Sequence, residues 1–221
     1  MQANYVQRLR LIFSKDGPAR YISHLDLART LERALNRARI PVAYTQGFNR
    51  RPRMQMATAL PLGYTSEYEL ADILLAEKME PEQARQQLMA KMAPGITVLQ
   101  TIDVPVSGPS LQSMTQSSTY RATPLDPVDF AELQARVAAI LAADKLERER
   151  ERRCKKKVYD LRPLILDLTV EKAEDGQVHI HMNLCLEPSK TGRPDEVLEA
   201  LGFDPLDMRI HRTGMVLAED A

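Results

Sequence analysis

Tryptophan is absent, phenylalanine occurs four times, and aromatic residues make up 5% of the 221 positions. A base-stacking platform that spreads several aromatic rings over a sheet is therefore poorly supplied. Cysteine is scarce too: Cys154 and Cys185 are too few for a disulfide scaffold and lack the CxxC spacing of a zinc or redox site. Both read as reduced and structural. No stretch approaches the roughly 18 uncharged apolar residues of a membrane helix. Arg8 and Arg10 interrupt the segment Met1 to Leu11 where a signal peptide would be apolar. A cytoplasmic protein with no membrane contact is expected. No cluster of residue types at telling spacing marks a cofactor or a metal ion, so neither is expected.

What is present is an uneven charge distribution. The totals balance, with 30 Lys and Arg against 30 Asp and Glu, but residues 1–55 hold eleven basic and three acidic groups. Residues 56–95 hold three against six, and residues 117–221 sixteen against twenty, so the positive field is concentrated near the N-terminus.

The periodicity predicts an α+β protein built of two tandem ferredoxin-like (βαββαβ) domains with antiparallel sheets. The first spans residues 1–106, the second 117–221, and the linker 107–116 is rich in Pro, Ser, Gln and Gly. In the first, Val6 to Phe13 alternates apolar residues with Arg8 and Arg10. A helix capped by Ser23, with Asp26 as its acidic partner, is expected to bury Leu25, Ala28, Leu31, Leu35 and Ala38. Strands follow over Met54 to Leu60 and Glu67 to Ala76, then a helix opened by Pro81 and a strand over Ile96 to Val104. In the second, Thr119 to Thr123 leads to a helix capped by Asp126, and Leu164, Leu166, Leu168 and Val170 share one strand face. Asp175-Gly176 turns into Val178 to Cys185, a short helix closes at Gly202, and the last strand is Met208 to Leu217.

Three arginine groups are the candidate anion-binding residues. Arg29, Arg33 and Arg37 recur at i, i+4 and i+8 on the first helix, which aligns three guanidiniums on one face. The loop Thr45 to Arg53 combines Gly47 and Asn49, both tolerant of left-handed backbone, with Arg50, Arg51 and Arg53. Such a loop presents N–H groups and guanidiniums to a phosphate. Arg20 precedes the helix cap. The run Glu147 to Lys157 reads either as a mixed-charge helix end or as a hairpin arm. In the arm, Arg148, Arg150 and Arg152 share a face and act with Lys155 and Lys157 on a nucleic-acid backbone. His24, in the first turn of the first helix, is the one weak catalytic candidate, as a general acid or base at an RNA 2′-hydroxyl. His179 and His181 suit two metal ligands, but no third stands at a telling spacing.

Taken together, Arg20-Tyr21-Ile22-Ser23-His24-Leu25-Asp26-Leu27, Gly47-Phe48-Asn49, Leu60-Pro61-Leu62-Gly63 and Ser66-Glu67-Tyr68-Glu69 resemble the radical SAM-linked protein family, a bacterial group of unknown function. Tyr120, Asp160-Leu161-Arg162-Pro163 and Arg212-Thr213-Gly214 fit it as well. The resemblance implies a partner, a radical SAM protein encoded beside or fused to such chains. This chain departs from the pattern in carrying Arg50-Arg51 where the family has Pro-His. It also lacks the CxxxCxxC motif of a radical SAM cluster, so it stands as companion rather than catalyst. The expected function is that of an accessory protein to a radical SAM enzyme that binds RNA or another phosphate-bearing ligand through its Arg-rich N-terminal domain. The alternatives are a metal-independent ribonuclease using His24, and a pure protein-interaction subunit.

Overall fold

The computed structural model describes residues 5–152 and 155–218, the side chains of 150–152 and 155–157 excepted. It is a mixed α+β protein with five α-helices among the described residues, and its strands pair in antiparallel fashion in both halves. Two compact units divide the chain: the first runs to Thr115 and takes in Ala218, and the second is Gln116–Leu217.

In the first unit β1 is Gln7–Lys15, α1 His24–Arg37, β2 Met54–Met56, β3 Thr65–Leu75, α2 Pro81–Met89, β4 Ile96–Val104 and α3 Leu111–Met114. The strands lie in the order β4-β1-β3-β2. Leu9, Leu11 and Phe13 alternate along β1 and, with Ala71, Ile73 and Leu75 of β3, form one sheet face. That face is closed by Leu27, Leu31 and Leu35 of α1 and Leu88 of α2, all buried, each contributing about 1.5–3 kcal/mol of transfer free energy. Ser23 caps α1 as expected. Its hydroxyl accepts the Asp26 N–H at 3.1 Å and donates to the Asp26 carboxylate at 2.7 Å. Ser23→Ala is therefore expected to cost about 0.5–2 kcal/mol, read as a lowered urea midpoint; an unmoved midpoint would contradict the cap. The buried stripe differs from expectation. Leu25 is 68% exposed and Leu27 takes its place. Six residues separate Leu25 from Leu31, about 120° around the helix, whereas Leu27 is four residues away and nearly in line with it.

In the second unit β5 is Thr115–Pro124, α4 Phe130–Ala142, β6 Glu147–Arg152, β7 Lys155–Asp160, β8 Ile165–Lys172, β9 Val178–Cys185, α5 Pro194–Ala200 and β10 Met208–Leu217. The order is β10-β5-β9-β8, and β6 and β7 form a separate two-stranded ribbon. Val178, Ile180, Met182 and Leu184 are buried as the alternation predicts. Two local expectations are corrected. Asp129, not Asp126, caps α4, because its carboxylate is the one that accepts the Glu132 N–H, at 3.0 Å. Leu166 is exposed, because the register shifts between Ile165 and Asp167 and the bulge turns Ile165 and Leu168 inward instead. Cys185 is free and buried, and burial pushes its thiol up from the ordinary cysteine value. Cys154 lies outside the described residues.

Candidate functional site

The loop Thr45 to Arg53 is drawn shut at its neck. Thr45 N–H donates to the Arg51 carbonyl at 2.9 Å, Arg51 N–H to the Thr45 hydroxyl at 3.0 Å, and Arg53 N–H to the Ala43 carbonyl at 2.7 Å. The Arg53 carbonyl in turn accepts the Leu74 N–H at 3.0 Å, which ties the neck to the end of β3. Residues Gln46 to Arg50 project as the tip. Gly47 has φ +123°, a conformation that an L side chain would strain, and Phe48, Asn49, Arg50 and Arg51 are all exposed. Neither Arg50 nor Arg51 has a side-chain partner among the described residues. Arg53 is half-buried, with its guanidinium 5.4 Å from the Tyr5 ring centroid.

The neck is also joined to α1. The Tyr44 hydroxyl bonds the Asn36 carboxamide, and Asn36 follows Arg33 by three residues, on the same side of the helix. The loop arginines and the exposed Arg33 are thus linked through one hydrogen bond. The helix arginines are not equal. Arg29 makes a loose exposed pair with Asp26 at 3.4 Å, and Arg37 donates to the Lys91 carbonyl at 2.9 Å. Arg33 makes no ion pair among the described residues. Arg20 stacks on its neighbour Tyr21, 4.6 Å from the ring centroid.

Two cavities flank the loop. One of about 740 Å³ is lined by Tyr5, Tyr44, Gln46 and Arg50. The other, of about 410 Å³, is lined by Tyr5, Arg8, Arg53, Gln55, Asp72 and Gly108.

Beneath the second cavity is an ion cluster that sequence reasoning missed. Arg8 donates from Nε at 2.9 Å and from Nη2 at 2.6 Å to Asp72 Oδ2, and Arg10 donates from Nε to Oδ1 at 2.8 Å. Arg8 Nη2 also reaches the Pro109 carbonyl at 3.0 Å, which fastens the segment after β4 onto this face. The alternation does place Arg8 and Arg10 opposite the core. The signal that could have found the cluster is Asp72, a lone acid inside the apolar run Leu70 to Leu75, and Arg10 is its register partner.

His24 is half-buried and its Nδ1 is buried without a hydrogen-bond partner among the described residues. Among the described residues no carboxylate orients that ring nitrogen, as one would in an acid–base pair. In the second unit the His179 Nδ1 lies 2.9 Å from the Thr123 hydroxyl, and the His181 Nε2 lies 3.2 Å from Glu171. Among the described residues no group of three or more His, Cys, Asp or Glu is placed to hold a metal ion.

Of the two readings of the charged run, the structure takes the arm. Arg148, Arg150 and Arg152 pair with Tyr159, Lys157 and Lys155, and opposed residues share a face in an antiparallel ribbon. One face therefore carries five basic positions, while Glu147, Glu149 and Glu151 lie on the other with Lys156, Val158 and Asp160. At its base the Tyr159 hydroxyl bonds Glu196 of α5, and Asp160 accepts the Leu146 N–H at 2.8 Å.

No helix among the described residues is long and apolar enough to cross a membrane. A family model described as "Uncharacterized protein conserved in bacteria (DUF2344)" matches residues 8–194. No curated protein matches the chain.

Proposed function

The chain belongs to this bacterial family, DUF2344, and we propose that it is a cytoplasmic accessory protein that binds RNA through the arginine surface of its first unit. The observation that carries the reading is the hydrogen bond between Tyr44 and Asn36, which joins a loop bearing Arg50 and Arg51, without side-chain partners among the described residues, to the helix face bearing Arg33. Guanidiniums whose N–H groups are not all taken up by carboxylates are the groups that can take phosphate oxygens. The surplus of eleven basic over three acidic groups in residues 1–55 supplies the long-range attraction. The basic face of the β6–β7 ribbon is a second backbone contact in the same reading.

Partnership with a radical SAM enzyme rests on the resemblance carried by Arg20 to Leu27, Gly47 to Asn49 and Leu60 to Gly63. In this reading the chain presents the RNA and the partner supplies the chemistry. The ferredoxin-like description of each unit is part of the same proposal. It is supported by the strand order fourth, first, third, second within each unit, with the ribbon as an insertion in the second. The ribonuclease alternative draws no support from His24, whose buried Nδ1 lacks an orienting group. The deciding experiment is capture of the tagged chain from its bacterial source, with sequencing of the bound RNA and mass spectrometry of the bound protein. Enrichment of particular RNAs together with a radical SAM protein is expected. Recovery of the protein partner with no RNA would replace this reading by a protein-interaction subunit.

A further inference from the structure

The 410 Å³ cavity beside the loop neck holds a half-used guanidinium at its floor. The Arg8 side chain is 9% exposed. Its Nε and Nη2 are engaged by Asp72 and the Pro109 carbonyl, while Nη1 has no acceptor among the described residues. That nitrogen is not sealed off from the cavity, so its N–H groups stay open to a ligand. Gly108 keeps the approach to that nitrogen open: a Cβ there would come within 3.4 Å of Nη1. At the rim, Arg53 lies over the Tyr5 ring, 5.4 Å from its centroid, and both side chains are of the kinds on which nucleobases stack. The cavity is within the range of volumes that take small ligands.

We infer that this cavity seats one nucleotide, with its phosphate on Arg8 Nη1 and its base on the Arg53–Tyr5 layer. The inference deepens the RNA reading and rests on it for the source of the nucleotide, since a free nucleoside monophosphate offers the same chemistry. It also assigns an active part to residues 105–110, which by composition alone are the end of the first domain and a connector.

The test is calorimetry on the full chain with adenosine monophosphate, adenosine and inorganic phosphate, alongside a fluorescently labelled short RNA. Adenosine monophosphate is expected to bind and adenosine to fail. Gly108→Val, at an exposed position, is expected to keep the melting temperature and weaken the monophosphate about tenfold or more by covering Nη1. Tyr5→Ala is expected to weaken the monophosphate about tenfold, the usual scale for removal of a stacking partner, and to leave inorganic phosphate unchanged. Wild-type protein that does not distinguish monophosphate from adenosine, or Gly108→Val that binds the monophosphate fully, would overturn the seat. If Gly108→Val weakens both monophosphate and RNA, the seated nucleotide belongs to RNA. If it weakens the monophosphate while the wild type binds no RNA, the seat stands for a free nucleotide and the RNA reading alone falls.

Discussion

Replacing Asp72 by alanine is expected to destabilise the first unit by about 3–5 kcal/mol, the usual cost of removing one partner from a buried ion pair. The carboxylate accepts N–H groups from both Arg8 and Arg10, and all three side chains are largely withdrawn from water. Without it, two guanidiniums share one strand face with their common counter-charge gone. Loss of Asp72 also frees Arg8 to turn away from the Pro109 carbonyl, so the segment after β4 loosens as the sheet does. Urea denaturation followed by circular dichroism reads the effect. Replacing all three residues by apolar side chains of similar volume is expected to recover most of the stability, because the desolvation cost disappears with the charges. A change below about 1 kcal/mol for Asp72→Ala would mean that water reaches the cluster and screens it.

The second large effect is on RNA affinity. Changing Arg50, Arg51 and Arg53 together to Gln is expected to weaken binding by an order of magnitude or more at low salt, since each neutralised phosphate carries its own counterion release. The corresponding change of Arg29, Arg33 and Arg37 is expected to do less. Arg29 is already shared with Asp26 and Arg37 with the Lys91 carbonyl, which leaves Arg33 as the helix arginine with neither an ion pair nor a side-chain hydrogen bond among the described residues. Fluorescence anisotropy with one short RNA compares the two variants directly. Full affinity in both would move the RNA contact to the β6–β7 ribbon or remove it from the chain.

Local patterns read well where one force dominates. The Ser23 cap, Pro81 at the start of α2, the alternation in β9 and Gly202 after α5 are each set within a few residues by a hydroxyl, a ring-locked φ, a two-residue period or a missing Cβ. Sequence patterns mislead where two of them overlap. Leu25 and Leu27 both sit near an apolar stripe, and the helix axis decides between them; Leu166 is displaced by a bulge whose cause is the pairing with β9, which no local window contains. Several motif residues that look functional are accounted for by the fold. The Gly63 N–H bonds the Arg20 carbonyl at 2.9 Å with φ +87°. Arg212 is buried against the Tyr120 hydroxyl at 2.9 Å, and a side chain at Gly214 would collide with Thr119. The candidate site is legible only as composition. That Arg50, Arg51 and Arg53 crowd a loop is visible in the sequence, but that Tyr44 fastens this loop to Asn36 depends on two segments eight residues apart folding onto one another. The cavity floor is hidden further, because it needs Arg8, Asp72 and residues 105–110 brought together from three distant stretches.

The central claim is that arginines of the first unit hold RNA by its phosphates, and the salt dependence of affinity tests it most directly. Binding of one short single-stranded RNA should be measured between roughly 50 and 200 mM salt for wild type and for the variant with all six loop and helix arginines changed to Gln. Wild type is expected to show a steep negative slope of log affinity against log salt, and the variant a slope flatter by about 0.7 for each phosphate that is no longer neutralised. A slope that is already flat in wild type, or that stays equally steep in the variant, would contradict the account.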